Sequence, residues 1–275
     1  MRLLLCFASL VAAAVLTPAV ALGGQANTLT DTHGGARATV TFQGSPLYAS
    51  NVRITIRRGG IAVLKRVRVR DSASGQPTTS GPTSLTVVDL NGDGEPEIML
   101  DLFTGGAHCC SYSRIYQFDP TYGDYTWIEH EWGNYLYSID DLDGDGIPEL
   151  ANADDRFAYA FAAYALSIPP VLILEYREGA LRDITREHPR SIRRDAKKWW
   201  KLYVKERRKP VHRRVDLRGI LAGWAADKYQ LGHQKDVWKT LKRTRGELRG
   251  SAPWPRGRKY LRELRGFLEA TGYAS

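Results

Sequence analysis

A chain of 275 residues with 43% hydrophobic and 25% charged side chains can bury one large core or two modest ones, and that balance excludes a disordered or fibrous polymer. Its net charge of +9 is unevenly spread: residues 1–176 hold 11 Lys/Arg against 19 Asp/Glu, whereas residues 177–275 hold 28 against 11. Such asymmetry points to two regions with different partners.

Residues 1–21 read as a secretory signal peptide. Arg2 supplies the positive start, residues 3–15 an apolar run, and Ala19-Val20-Ala21 an A-x-A cleavage site. The run is too short to span a bilayer, and no later stretch is long and apolar enough to do so. The expected mature protein is therefore secreted, extracellular, and without a transmembrane segment. Cys6 lies inside the signal with no apolar run before it, which weakens a lipid-anchor reading. Residues 22–36 are polar and glycine-rich, a flexible lead-in. Val52, Ile54 and Ile56 alternate with Arg53, Thr55 and Arg57 as in a half-buried strand, Gly59-Gly60 turns, and Ile61, Val63, Val67 and Val69 continue the period on the return strand. Residues 71–84, rich in Ser, Thr, Gly and Pro, form a loop.

Next comes a stretch written twice: D-L-N-G-D-G-E-P-E at residues 89–97 and D-L-D-G-D-G-I-P-E at residues 141–149. Side chains at the first, third, fifth and ninth positions all carry oxygen: Asp89, Asn91, Asp93 and Glu97, then Asp141, Asp143, Asp145 and Glu149. Alternate residues of a tight loop can converge on a hard cation such as calcium, which takes about 6–8 oxygen ligands. The backbone carbonyls of Glu95 and Ile147 at position seven add a ligand each, and Gly94 and Gly146 allow the sharp bend. An EF-hand is excluded, because position twelve is Leu100 or Asn152 and the flanks read as strands. The second copy carries four carboxylates against three and is expected to bind more tightly. An acidic turn without metal is the competing reading.

On these residues the chain resembles the calcium loops of FG-GAP or VCBS-type repeats. The resemblance implies strand–loop–strand hairpins on the blades of a β-propeller, with a structural calcium ion on each. It covers residues 84–160 and implies no reaction.

Cys109 and Cys110 are adjacent. A vicinal disulfide stiffening the turn at Gly105-Gly106 is favoured in an oxidising compartment, although so short a span strains it. Buried or intermolecular thiols, and a redox or soft-metal role with His108, remain open. Residues 112–118, 125–132, 136–139 and 150–153 read as strands, and a last hairpin turns at Glu178-Gly179. Residues 158–166 are apolar and aromatic, and their type is ambiguous.

From about residue 190 the period becomes helical. Ile192, Ala196, Trp199, Trp200 and Tyr203 share one face of a helix ended by Pro210. Leu217, Ile220, Leu221, Trp224 and Leu231 mark a second, Val237, Trp238 and Leu241 a third, and Tyr260, Leu261, Leu264, Phe267 and Leu268 a fourth. Their opposite faces are rich in Arg and Lys. In a secreted protein such a surface favours an anionic polymer or cell-envelope component over nucleic acid. Two other readings stand beside it: a merely solvated cationic face, and helices docked electrostatically on the acidic strands.

No G-x-S-x-G, H-E-x-x-H or phosphate-loop motif is present, and Glu129 and Glu131 read as surface groups. The expected fold class is α+β. A signal peptide (1–21) precedes a β-rich region with two propeller-blade-like calcium hairpins (22–188) and a basic helical domain (189–275). The expected function is a secreted, calcium-binding structural or ligand-binding protein with Ca2+ at both loops. The alternative is an extracellular hydrolase whose site no motif reveals.

Overall fold

The computed structural model describes residues 26–107, 109–248 and 253–274, without the side chain of Cys109. The signal peptide and His108 lie outside the described residues. Alternating aliphatic and polar residues build strands up to residue 183, and helical periodicity takes over from residue 189.

The first sheet is an antiparallel meander of β1 (Ala26–His33), β2 (Ala36–Ser45), β3 (Tyr48–Arg58) and β4 (Ile61–Arg68). The second contains β5 (Gly81–Val88), β6 (Glu97–Gly106), β7 (Cys109–Asp119) and β8 (Asp124–Gly133) in sequence order. The third is built from β9 (Ser138–Asp140), β10 (Glu149–Ala153), β11 (Val171–Arg177) and β12 (Ala180–Asp183). Strand β1 occupies part of the segment expected to be a flexible lead-in. It is an edge strand with no fully buried residue, so backbone pairing to β2 holds it and no hydrophobic pattern announces it.

The second sheet is covered on both faces. Ile98, Leu100, Leu102 and Tyr116 pack with Val40, Ile54 and Ile56 of the first sheet. Met99, Ile115 and Trp132 pack with Leu150, Leu174 and Tyr176 of the third. Strand β6 therefore reads as a nearly continuous apolar run. Burial of each such side chain contributes about 1.5–3 kcal/mol.

The expectation of propeller blades is corrected here. The described residues form three sheets, where a propeller needs about 4–8 blades. No apolar cluster among them joins the first sheet to the third, so the stack does not close into a ring.

Four helices follow: α1 (Pro189–Arg207), α2 (Leu217–Gln230), α3 (Gln234–Thr244) and α4 (Gly257–Ala270). Among the described residues no helix is long and apolar enough to cross a membrane. Helix α2 is the central one, buried on nearly every side. Its Arg218 is fully buried, paired with Asp216 and donating to the carbonyls of Trp254 (2.8 Å) and Pro255 (2.9 Å). Gly219 and Gly223, one turn apart, let α2 press on the carbonyls of Leu166 and Ile168, where a Cβ would sit 2.2 and 2.3 Å from oxygen. The segment of ambiguous type thus resolves into irregular backbone with short 3-10 turns, whose Phe157 and Phe161 enter the helical core.

Among the described residues no ion pair joins a lysine or arginine of the four helices to a carboxylate of the strands. Electrostatic docking of the helices on the acidic strands therefore finds no support; the contact combines apolar packing with hydrogen bonds such as Tyr273 hydroxyl to Asp154 (2.8 Å) and Trp254 Nε1 to the Tyr159 carbonyl (2.7 Å).

One carboxyl inside this core is costly. Asp227 is fully buried and neither oxygen makes a hydrogen bond of good geometry; the Asp195 carboxyl and the Val171 amide are nearby polar groups. Burial first, and repulsion from Asp195 second, hold Asp227 well above the ordinary aspartate value of 3.8. A carboxyl raised in the folded state stabilises fully below its unfolded value, and that stability is lost as pH rises toward the folded one. Asp227→Asn removes the loss. Its melting temperature relative to wild type should therefore climb as pH increases above 4, by at most about 1.4 kcal/mol of stability per pH unit. Thermal melts giving a constant difference from pH 4 to pH 8 would contradict this.

Candidate metal-binding loops

Both acidic stretches are hairpin connections closed at the same register. Residues 89–96 join β5 to β6 beyond the pair Val88 and Glu97. Residues 141–148 join β9 to β10 beyond the pair Asp140 and Glu149. Within each, the first aspartate accepts two backbone amides. Asp89 binds Gly92 N (2.7 Å) and Gly94 N (2.8 Å), and Asp141 binds Gly144 N (2.7 Å) and Gly146 N (3.0 Å). The third and fifth side chains each accept the amide two residues on. Asn91 takes Asp93 N and Asp93 takes Glu95 N, while Asp143 takes Asp145 N and Asp145 takes Ile147 N. Gly94 (φ +85°) and Gly146 (φ +90°) supply the left-handed backbone that turns the chain back.

The ninth residue of each loop points inward. Glu97 is 1% exposed and Glu149 3% exposed. Glu97 accepts Leu90 N at 2.9 Å and Glu149 accepts Leu142 N at 2.7 Å, both through Oε2. Burial first, opposed by the Leu90 amide and aided by Asp93 and Asp89, raises the Glu97 carboxyl to about 7. Glu149 is also shifted up by burial.

The loops differ in what surrounds them. In the first, the Asn91 amide donates to Asp93 at 3.0 Å, and the side chain of Glu95 is tied to Arg58. In the second, Asp141, Asp143 and Asp145 bring carboxylate oxygens within 4.8 Å of one another. A second group shares Asp143: oxygens of Asp143 and Glu149 and a ring nitrogen of His188 also lie within 4.8 Å of one another. His188 stands 39 positions beyond Glu149, at the N-cap of α1, and no spacing rule links the two.

Other acidic groups are engaged elsewhere. Glu129 pairs with Arg114 at 2.5 Å. Asp154 is buried against Arg156 and the Tyr273 hydroxyl, and Asp155 accepts from Asn134. Cys110 is disulfide-bonded; the Cys109 side chain and His108 lie outside the described residues.

On α1 the outward residues Arg194, Lys197, Lys198, Lys201 and Lys205 line one groove. A neighbouring groove, with Arg193, Lys197 and Lys228 at its rim, has a floor of Trp200 and Trp224, whose ring centroids lie 5.0 Å apart.

Residues 192–272, the four helices, match the family described as the sll0997 C-terminal domain. The chain is 26% identical over 170 residues, 57% of its own length and 46% of the relative's, to a "Probable thylakoid lumen protein sll0997" of Synechocystis sp.. It is 30% identical over 205 residues, 72% of its length and 30% of the relative's, to an "Uncharacterized protein y4bJ" of Sinorhizobium fredii. The chain thus spans less than half the length of these curated relatives. No solved structure matches.

These matches overturn the FG-GAP or VCBS-type resemblance. The family match falls on helices that contain none of the loop residues, and the matched relatives bear no repeat-family description. A nine-residue oxygen-rich turn is set by ligand and backbone geometry, so a short local likeness does not carry family membership.

The internal hydrogen bonds generate a prediction that is independent of any ion. Asp141→Ala removes both amide partners at Gly144 and Gly146. It should lower stability by about 1 kcal/mol in EDTA, as loss of a helix cap does. Asp141→Asn should recover most of it. Urea midpoints that coincide for wild type and Asp141→Ala would refute the closure role.

Proposed function

We propose that the protein binds calcium at residues 89–97 and 141–149 in an exported compartment, and that the ions fix hairpins whose helical partner region engages an anionic envelope component. The supporting observation is the matched pair of loops. Two segments 52 residues apart hold their first, third and fifth side chains by the same amide bonds, with a buried glutamate at the base of each. In the second loop the Asp141, Asp143 and Asp145 carboxylates lie within 4.8 Å of one another and repel, and a hard dication relieves the repulsion. Asp89, Asn91, Asp93 and Glu97, with the Glu95 carbonyl, would hold the first ion. Asp141, Asp143, Asp145 and Glu149, with the Ile147 carbonyl, would hold the second. Calcium supplies charge neutralisation and a rigid hairpin here.

Compartment and partner are part of the same reading. One relative is named as a probable thylakoid lumen protein, which supports translocation across a membrane, in keeping with the signal-like residues 1–21. The partner reading rests on the grooves along α1, where cationic side chains flank the half-buried Trp200 and the buried Trp224. Such a surface suits polyanions or anionic head groups.

EDTA should lower the melting temperature, and excess calcium should restore it; identical melts with and without chelator would count against the ions. By calorimetry, Asp143→Ala should weaken calcium binding more than Asn91→Ala, because it deletes a charge. Equal losses would oppose the ranking.

For the partner, the protein should co-sediment with phosphatidylglycerol vesicles or an acidic polysaccharide at low salt. Replacing Lys197, Lys201 and Lys205 by Gln should weaken retention roughly a hundredfold, at about 1 kcal/mol per charge. Retention unaffected by those changes, or by salt, would remove the cationic face from the reading.

A further inference from the structure

Calcium takes oxygen ligands, yet the second loop is the one that reaches an imidazole. His188 is 7% exposed, and among the described residues its ring has no hydrogen-bond partner. It faces two carboxyls, each of which has an oxygen to spare. Asp143 Oδ1 accepts Asp145 N at 3.2 Å and Glu149 Oε2 accepts Leu142 N at 2.7 Å, leaving Asp143 Oδ2 and Glu149 Oε1. The three donors lie within 4.8 Å of one another, but no ion pair closer than 4.0 Å forms between the ring and either carboxylate. Donors this close to one another can serve as ligands of one ion.

We infer that Asp143, Glu149 and His188 form a site for a borderline first-row dication, zinc or manganese in class, distinct in preference from the oxygen-only first loop. Two carboxylates and one neutral imidazole suit such ions, whereas calcium gains little from nitrogen. Among the described residues the first loop has no counterpart of His188: its flank is supplied by Arg58, a cation, bound to Glu95. The site also has a structural consequence. Glu149 opens β10 and His188 caps α1, so an ion there ties the third sheet to the first turn of the helical region. This inference rests on the reading of residues 141–149 as an ion-binding loop, and it changes which ion that loop selects.

The test uses the full chain, stripped of metal and titrated separately with Co2+, Zn2+ and Ca2+. Wild type should bind one Co2+ with visible ligand-field bands, and zinc should displace it. His188→Gln should weaken Co2+ and Zn2+ binding by more than about tenfold, given that even outer partners of metal ligands are worth 10–100-fold. Calcium binding at the first loop should be unchanged. Equal zinc affinity in wild type and His188→Gln overturns the inference while leaving calcium binding standing. Zinc binding that depends on His188 with no calcium binding at either loop overturns the calcium reading alone. Should His188→Gln fail to fold, X-ray absorption of zinc-loaded wild type decides: an imidazole scattering shell supports the site, and an oxygen-only shell overturns it.

Discussion

At the base of each acidic hairpin a carboxylate is held away from water. Glu97 and Glu149, the first residues of β6 and β10, each turn back to accept the amide of the loop's second residue. A buried carboxylate is costly unless it is bonded, so this contact fixes where the loop ends and the return strand begins. It also sets the register: Glu97 lies opposite Val88 and Glu149 opposite Asp140. With the ninth side chain directed inward, the first, third and fifth remain at the loop's outer turn, each paired to an amide. In the second hairpin the same closure brings oxygens of Asp141, Asp143 and Asp145 within 4.8 Å of one another.

The middle sheet transmits this order. Its β6 lies between two apolar layers, but the layers are pinned by a polar cluster around Asp101. That carboxylate accepts from the hydroxyls of Ser84 and Ser113, and from Tyr137 at 2.9 and 3.0 Å. Ser113 in turn accepts Trp132 Nε1 at 2.6 Å. A satisfied network in a low-dielectric layer allows one alignment of the neighbouring strands, where aliphatic contacts alone would tolerate several. Tyr137 immediately precedes β9, so the alignment carries across to the third sheet and its acidic loop.

The helical region shows a different division of labour. Its centre is α2, held close to residues 162–168 by two glycines and anchored by Arg218. Contact with the preceding chain runs through the apolar Phe157, Phe161 and half-buried Ile168, and through hydrogen bonds from Tyr273 to Asp154 and from Trp254 to the Tyr159 carbonyl. Among the described residues no ion pair joins helix cations to strand carboxylates, and Arg194, Lys197, Lys198, Lys201 and Lys205 stay exposed on α1.

The sequence alone was enough to place the two loops, the strand-to-helix change near residue 189 and the apolar faces of α1, α3 and α4, because each rests on local periodicity or on backbone needs such as a left-handed glycine; α2, buried on nearly every side, has no single face. It did not disclose β1, whose pairing is through the backbone and whose side chains alternate without burial. It overextended a nine-residue likeness into a repeat family and a propeller, because loop geometry is local while the number and closure of sheets are not. Nor could it show that Glu97 and Glu149 are buried or that Asp195 and Asp227 meet in the helical core. His188 reaches the second loop only because α1 begins beside the third sheet. Which distant side chains share a site depends on how layers stack, and stacking is decided by the summed packing of the whole chain.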